Sequence, residues 1–534
     1  MGASCRTRAS ARPDRGWSVV TTPRPPRAGG SPDGSPGGGG LDPNRWRVLW
    51  VCLVTGFMTL LDVSIVNVAL PSISSGLGAS GSQLQWVVTG YAVVFGLALV
   101  PAGRLGDSFG RKKIFLVGLV LFALGSLACG LAPSPEALIA ARIAQGLGAG
   151  VLNPQITAII NSEFRGAERG RAFGRFGATV GLSTAVGPLL GGVIITLVPW
   201  EESWRLVFLV NMPVAAVAFV LGLKLISDRA SAERSRLDWV GTVLLAVAVG
   251  LVLGAVQERE VLGPLLVVVA LVVAAASGWG FVRWERRYAA AGHLPLARPG
   301  LLKAPGFGPG VLLGSLYFGG FIAIFFTVTL YLQDALRYSA LEAGLTQTPF
   351  ALASAVAAPW AGRRVVAQGR HLVVRGLVAV ITGLLGVIAV VELVAPAVGD
   401  GWTGLLLLVP FLVAGFGSGI VIGPNVNLSL ANIDGRDAGS ASGVFQTFQR
   451  VGSGIGLAVV SAVFLSVSGA GDPRDGLSAA LGMSAALVLA ALVVAVVDVR
   501  RSGGGDGSSA PPQDDDGEHP GARTSDGGRP RSAG

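Results

Sequence analysis

Asp62 is the one carboxylate inside an apolar run spanning about residues 47–70. An acid held in so apolar a setting exchanges a proton when its surroundings change between dry and charged, so Asp62 is a candidate proton carrier. Arg142 stands in a second such run, 136–160, with Gln145 one helical turn on. At about 1.5 Å of rise per residue, Asp62 lies roughly 22 Å from the start of its run and Arg142 roughly 8–9 Å from the start of its own. If the two runs cross a hydrocarbon layer of about 30 Å in opposite directions, these depths coincide. The expectation is a neighbouring pair, either exchanging a proton or simply holding two helices together. Arg450 lies about 12 residues into a run at 438–468, beside Gln446 and Gln449. It is suited to an anionic or carbonyl-bearing ligand, to pairing with Asp62 in one state, or to bonding helix carbonyls. With Trp86, Tyr91, Gln145 and Gln446 it forms the candidate substrate cavity; for Trp86 an interfacial anchor is an equal alternative.

Two glycine-rich stretches suggest moving parts. Gly103-Arg-Leu-Gly-Asp107-Ser-Phe-Gly110-Arg111-Lys-Lys joins two apolar runs, with one acid among four cations. Its glycines permit a tight turn, and Asp107 and Arg111 are read as a latch that opens when packed helices rock; the plain alternative is a basic turn without a switch. Further on, Gly181-x5-Gly187-Pro188-x-x-Gly191-Gly192 puts small residues along one run and a proline inside it. That pattern allows close helix approach with a local bend, or ordinary small-residue packing.

The elements that position these residues follow from composition. Hydrophobic residues make up 51% of the chain and charged residues 13%, and the mean hydropathy is +0.63. A water-soluble globule cannot hide that much apolar surface, whereas apolar runs of about 20 residues match membrane-spanning helices. Between residues 47 and 498 the sequence reads as fourteen such helices: an all-α integral membrane protein. The turns after even-numbered runs carry 22 Lys and Arg residues; the alternate turns carry only Arg205, Arg259, Arg337 and Arg474. That asymmetry predicts a multi-pass protein of the cell membrane with both termini cytoplasmic. Segments 1–45 and 500–534 read as disordered tails, 46–226 and 306–499 as two six-helix halves, and 227–305 as two inserted helices. Despite a net charge of +10, the short basic clusters between apolar runs argue against nucleic-acid binding. Scattered Cys and His residues supply no metal site, and no phosphate loop or nucleophile–base pair points to an ATP-driven pump or an enzyme.

Weak internal duplication fits the two-half reading. Gly103-Arg-x5-Gly110-Arg111 recurs as Gly362-Arg-x5-Gly369-Arg370, and Gly146-x-Gly-x-Gly150 recurs as Gly415-x-Gly-x-Gly419. Several stretches together resemble the fourteen-span drug:proton antiporter branch of the major facilitator superfamily, the EmrB/QacA-like group. They are Leu61-Asp62-Val-Ser-Ile-Val-Asn67-Val-Ala-Leu-Pro71, the Gly103–Lys113 loop, Arg142-x-x-Gln145-Gly146, the Gly187-Pro188-x-x-Gly191-Gly192 run, Trp204-Arg205 through Asn211-x-Pro213, and Tyr331-Leu332-Gln333 with Ala343-Gly344-Leu345. The resemblance covers about residues 46–499. It implies an exporter of small amphipathic drugs or antibiotics, driven by the proton gradient, with no cofactor and working as a monomer. Export of a self-made metabolite, siderophore or lipid-like compound is the rival reading, and a non-transporting sensor or scaffold a more distant one. Val366 replaces the acid in the repeated loop, and the ninth and tenth runs lack an interior acid, so the resemblance does not extend to polyvalent cations as substrates.

Overall fold

A computed structural model describes residues 44–198, 202–227, 238–257, 259–298 and 300–503. The expected tails at 1–45 and 500–534 lie almost wholly outside the described residues. Within them the chain is helical, and eleven helices are long and apolar enough to cross a membrane. These are α1 (Arg45–Leu77), α2 (Gly81–Phe109), α3 (Arg111–Gly130), α6 (Trp204–Leu225), α7 (Trp239–Val256), α8 (Leu262–Ala290), α9 (Phe307–Ala335), α11 (Arg370–Val398), α12 (Thr403–Ser429), α13 (Ala438–Ala470) and α14 (Pro473–Arg501). Three further long helices are α4 (Pro135–Glu163), α5 (Gly166–Leu197) and α10 (Ala340–Gln368).

Local chemistry sets the boundaries. Ser80 and Ser339 open α2 and α10 with capping boxes completed by Gln83 and Glu342, which satisfies amide groups that the first turn leaves unpaired. Gly110 and Gly369, equivalent residues of the repeated loop, both take positive φ (97° and 53°), so one residue turns α2 into α3 and α10 into α11.

The duplication extends to packing. Among α1–α6, α1 packs on α5, and α4 packs on both α2 and α3; α6 packs on α3 and α1. Among α9–α14 the same partners recur: α9 on α13, α12 on α10 and α11, and α14 on α11 and α9. The two sets meet where α5 packs on α10 and α12, and where α13 packs on α2 and α4. The inserted pair α7 and α8 pack on each other, and α7 lies along the seam between α2 and α13.

Candidate functional site

The first set of helices encloses a buried polar cluster centred on Asp62. Asp62 and Gln145 are fully buried, and Arg142 and Asn211 are 1% exposed. Arg142 Nη1 donates to Asp62 Oδ2 at 2.6 Å, while Gln145 Nε2 and Asn211 Nδ2 donate to Oδ1 at 2.8 and 2.9 Å. Ser126 Oγ accepts from both amides, at 2.7 and 2.9 Å. Arg142 is held by Gln145 Oε1 (2.6 Å), by the Val87 carbonyl (3.0 Å) and by the Tyr91 ring, whose centroid is 4.1 Å from Cζ. Four helices, α1, α3, α4 and α6, thus converge on one carboxylate. Buried charges of this kind persist only when paired and hydrogen-bonded throughout.

Close packing makes the convergence possible. A Cβ at Gly125 of α3 would come within 2.6 Å of Gln145 Cα, so glycine there brings α3 onto α4 and Ser126 within reach of Gln145. Helix α6 is interrupted at Val210, and Asn211 starts its second segment facing Asp62. Pro213, which lacks an amide hydrogen, stands within the first turn of that segment, where amide groups are unpaired in any case.

The Asp62–Arg142 neighbourhood anticipated from depth is present. Gln145 and Tyr91, expected to line a cavity, instead serve the Asp62 cluster: Gln145 bridges Asp62, Arg142 and Ser126, and Tyr91 is buried beneath the guanidinium. Trp86 stands apart at the start of α2, 45% exposed. Gln446 reaches across from α13 and donates to Thr157 Oγ1 of α4 at 3.2 Å. Arg450 lies over the Phe95 ring of α2, 4.2 Å from its centroid. Sequence reasoning gave Ser126 and Asn211 no role. Ser126 carries no distinguishing signal, while Asn211 is a polar residue inside an apolar run, two residues before Pro213, and that pattern was the available clue.

At the Arg-rich end of the bundle the two sets are sealed together. Asp107 accepts from the Gly439 and Ser440 amides at 3.0 and 2.8 Å, from Ser440 Oγ at 3.1 Å and from Arg111 Nη2 at 3.2 Å. The acid therefore caps the start of α13, a partner not foreseen among the cations of its own loop, and it meets the positive end of the helix dipole. Arg111 also donates to the carbonyls of Ala158 and Gly435. Gly103 packs against the Gly439 backbone so closely that a Cβ would collide with its carbonyl oxygen, and Gly362 of the repeated loop does the same at Gly170. Arg169 Nε adds a bond across the seam to Asn427 Oδ1 at 2.9 Å. In the α5 motif, a Cβ at Gly187 would collide with Ser64 of α1, one at Gly191 would touch Ile65, and one at Gly181 would meet Ser354 Oγ of α10 at 2.8 Å; Gly192 faces open space, and Pro188 lies within the helix.

Residues 52–457 match the sequence model of the Major Facilitator Superfamily. The chain belongs to this superfamily. Among its relatives, a Streptomyces coelicolor protein described as a probable actinorhodin transporter is 34% identical over 83% of this chain and 76% of its own length. The puromycin resistance protein of Streptomyces alboniger is 34% identical over 79% of this chain and 82% of its own, and the cephamycin export protein of Amycolatopsis lactamdurans 34% identical over 78% and 83%. Solved structures share the fold: the human organic anion transporter MFSD10 superposes with a TM-score of 0.62 at 16% identity, covering 85% of this chain and all of that one. The proton:xylose symporter XylE gives 0.62 at 14% identity, covering 85% and 95%. These relatives and structural neighbours are transporters rather than enzymes, and this superfamily member is a multi-pass membrane protein.

Proposed function

We propose that this chain is a proton-coupled antiporter that exports small amphipathic, antibiotic-like compounds across the cell membrane. The observation that carries the reading is the Asp62 cluster. Every partner presents a donor to the carboxylate, an arrangement suited to the ionised form. Protonation removes the charge that Arg142 compensates and puts a hydrogen where a donor now points, so the proton and this packing compete. A helix arrangement that separates Asp62 from Arg142 would favour the proton. Coupling arises if that second arrangement opens to the opposite side of the membrane. The gradient is the energy source, and no cofactor is needed.

In this reading α4, α5 and α10 also cross the membrane, which gives fourteen spans, the count of the EmrB/QacA-like branch. An even count puts both termini on one side, and the distribution of Lys and Arg makes that side the cytoplasm. The Asp107 and Gly103 contacts are then the closed cytoplasmic gate. α1–α6 and α9–α14 are the rocking halves, α7 and α8 the inserted pair, and a single chain is sufficient. The relatives described as a probable actinorhodin transporter, a puromycin resistance protein and a cephamycin export protein support the substrate class.

Expression in an efflux-deficient bacterium tests the proposal. The chain should confer resistance to a subset of an antibiotic panel and lower cellular accumulation of those compounds, and a protonophore should abolish both effects. Unchanged accumulation across the panel, or export that persists once the gradient is collapsed, contradicts it.

A further inference from the structure

Arg450 differs from the other intramembrane arginine of the central region. Arg142 is saturated with hydrogen bonds; among the described residues Arg450 makes no ion pair and no side-chain hydrogen bond, its guanidinium contact being the face of Phe95 at 4.2 Å. It is partly exposed, not sealed in the core. A permanent cation at this depth is costly without a counter-charge, and the reading that it bonds helix carbonyls is not realised.

Its position gives the vacant guanidinium surface a direction. Helices α2 and α13 run together from Gly103 against Gly439, through Leu99 against Gly443, to Phe95 against Arg450. Arg450 thus lies on the seam between the two sets, one turn beyond Gln446, whose side chain reaches Thr157. It lies roughly 18 Å from the start of α13. On the membrane side the seam is covered by α7: Leu253 lies 3.1 Å from a Cβ placed on Gly96 and 2.9 Å from one on Gly454. Phe95 and Tyr91, both buried, form an aromatic layer behind the guanidinium, and Tyr91 continues to Arg142 on its other side. The planar fork of arginine suits a carboxylate, sulfonate or acidic enol.

We propose that Arg450 is the anchor of a substrate subsite for amphipathic organic anions, with Phe95 holding the guanidinium flat. This rests on the transporter reading above but names the charge of the cargo, which that reading leaves open. It also places the cargo one aromatic layer from the Asp62–Arg142 pair, so anion and proton act on neighbouring arginines.

The test is equilibrium binding to purified full-length protein in detergent, with no gradient, so its outcome is independent of proton coupling. Pyrenebutyrate and pyrenebutyramide have nearly the same shape and differ in charge. Wild-type protein is expected to bind the carboxylate at least about tenfold more tightly than the amide. Arg450→Gln should abolish that preference, weakening carboxylate binding far more than amide binding, and Arg450→Lys should retain part of it. Asp62→Asn should keep it, which separates a failure here from a failure of the antiport reading. Equal binding of the two probes, binding of neither, or a preference that survives Arg450→Gln in monodisperse protein overturns the proposal. So does competition of pyrenebutyrate by phosphatidylglycerol micelles, which would assign the arginine to a lipid headgroup.

Discussion

Asp107→Asn isolates the contact that seals the Arg-rich end. The carboxylate accepts two backbone amides at the start of α13, the Ser440 hydroxyl and Arg111, all between 2.8 and 3.2 Å, and its side chain is 2% exposed. Asparagine keeps the shape and one acceptor oxygen. It loses the charge that meets the helix dipole, and its amide hydrogens face donors. Charge-assisted hydrogen bonds contribute about 1.5–3 kcal/mol each, and the dipole interaction up to about 2 kcal/mol when partly buried. A net loss of about 3 kcal/mol is therefore reasonable, equivalent to a shift of about 150-fold in the ratio of sealed to open conformers. Spin labels on cysteines replacing Lys113 and His371, exposed residues of α3 and α11 at this end, report that ratio as a distance distribution once Cys5, Cys52 and Cys129 have been replaced. The variant should populate a longer distance that the wild type scarcely visits. A distribution changed by less than about twofold would refute the latch.

Other predictions follow from the same contacts. Gly103→Ala inserts a methyl group into the Gly439 backbone, so it should block sealing outright and leave a cysteine at the α2–α13 seam permanently reactive to a membrane-impermeant maleimide. Gly125→Ala pushes α3 away from α4 and should lower stability by about 1–3 kcal/mol, read as earlier thermal unfolding in detergent, with transport reduced through displacement of Gln145. Asn211→Leu removes one of two donors to Asp62 Oδ1; transport should fall about tenfold, in line with loss of one buried charge-assisted bond, with Ser126→Ala milder. Glu168→Gln breaks an ion pair with Arg45 between side chains 28% and 20% exposed. It should change stability by about 1 kcal/mol or less, serving as a control.

How much was legible in the sequence depended on the length scale of each signal. Apolar runs of membrane thickness and the alternation of Lys and Arg are long, redundant patterns, and they located the helices. They set α4, α5 and α10 on the same footing as the eleven helices that are long and apolar enough to cross a membrane. The Asp62–Arg142 pairing was legible from depth alone, since two helices crossing one bilayer share a coordinate. Partners that depend on rotation about the helix axis were not. Ser126 and Asn211 turn towards Asp62, Tyr91 turns beneath Arg142, and Asp107 meets the backbone of α13 more than 330 residues away. No local pattern encodes these orientations. The glycines of the repeated loop, Gly103 and Gly362, each meet the backbone of the opposite helix set, and Val366 stands where the first loop has its acid.

Proton flux through Asp62 tests the central claim most directly. Protein reconstituted into liposomes should be supplied with a compound to which the chain confers resistance, with a pH-sensitive dye trapped inside. The account predicts that wild-type protein moves the compound against its gradient when a proton gradient is imposed, with stoichiometric proton counterflow. Asp62→Asn should lose both while still exchanging the compound down its own gradient. Uphill transport by Asp62→Asn, with proton movement intact, would contradict it.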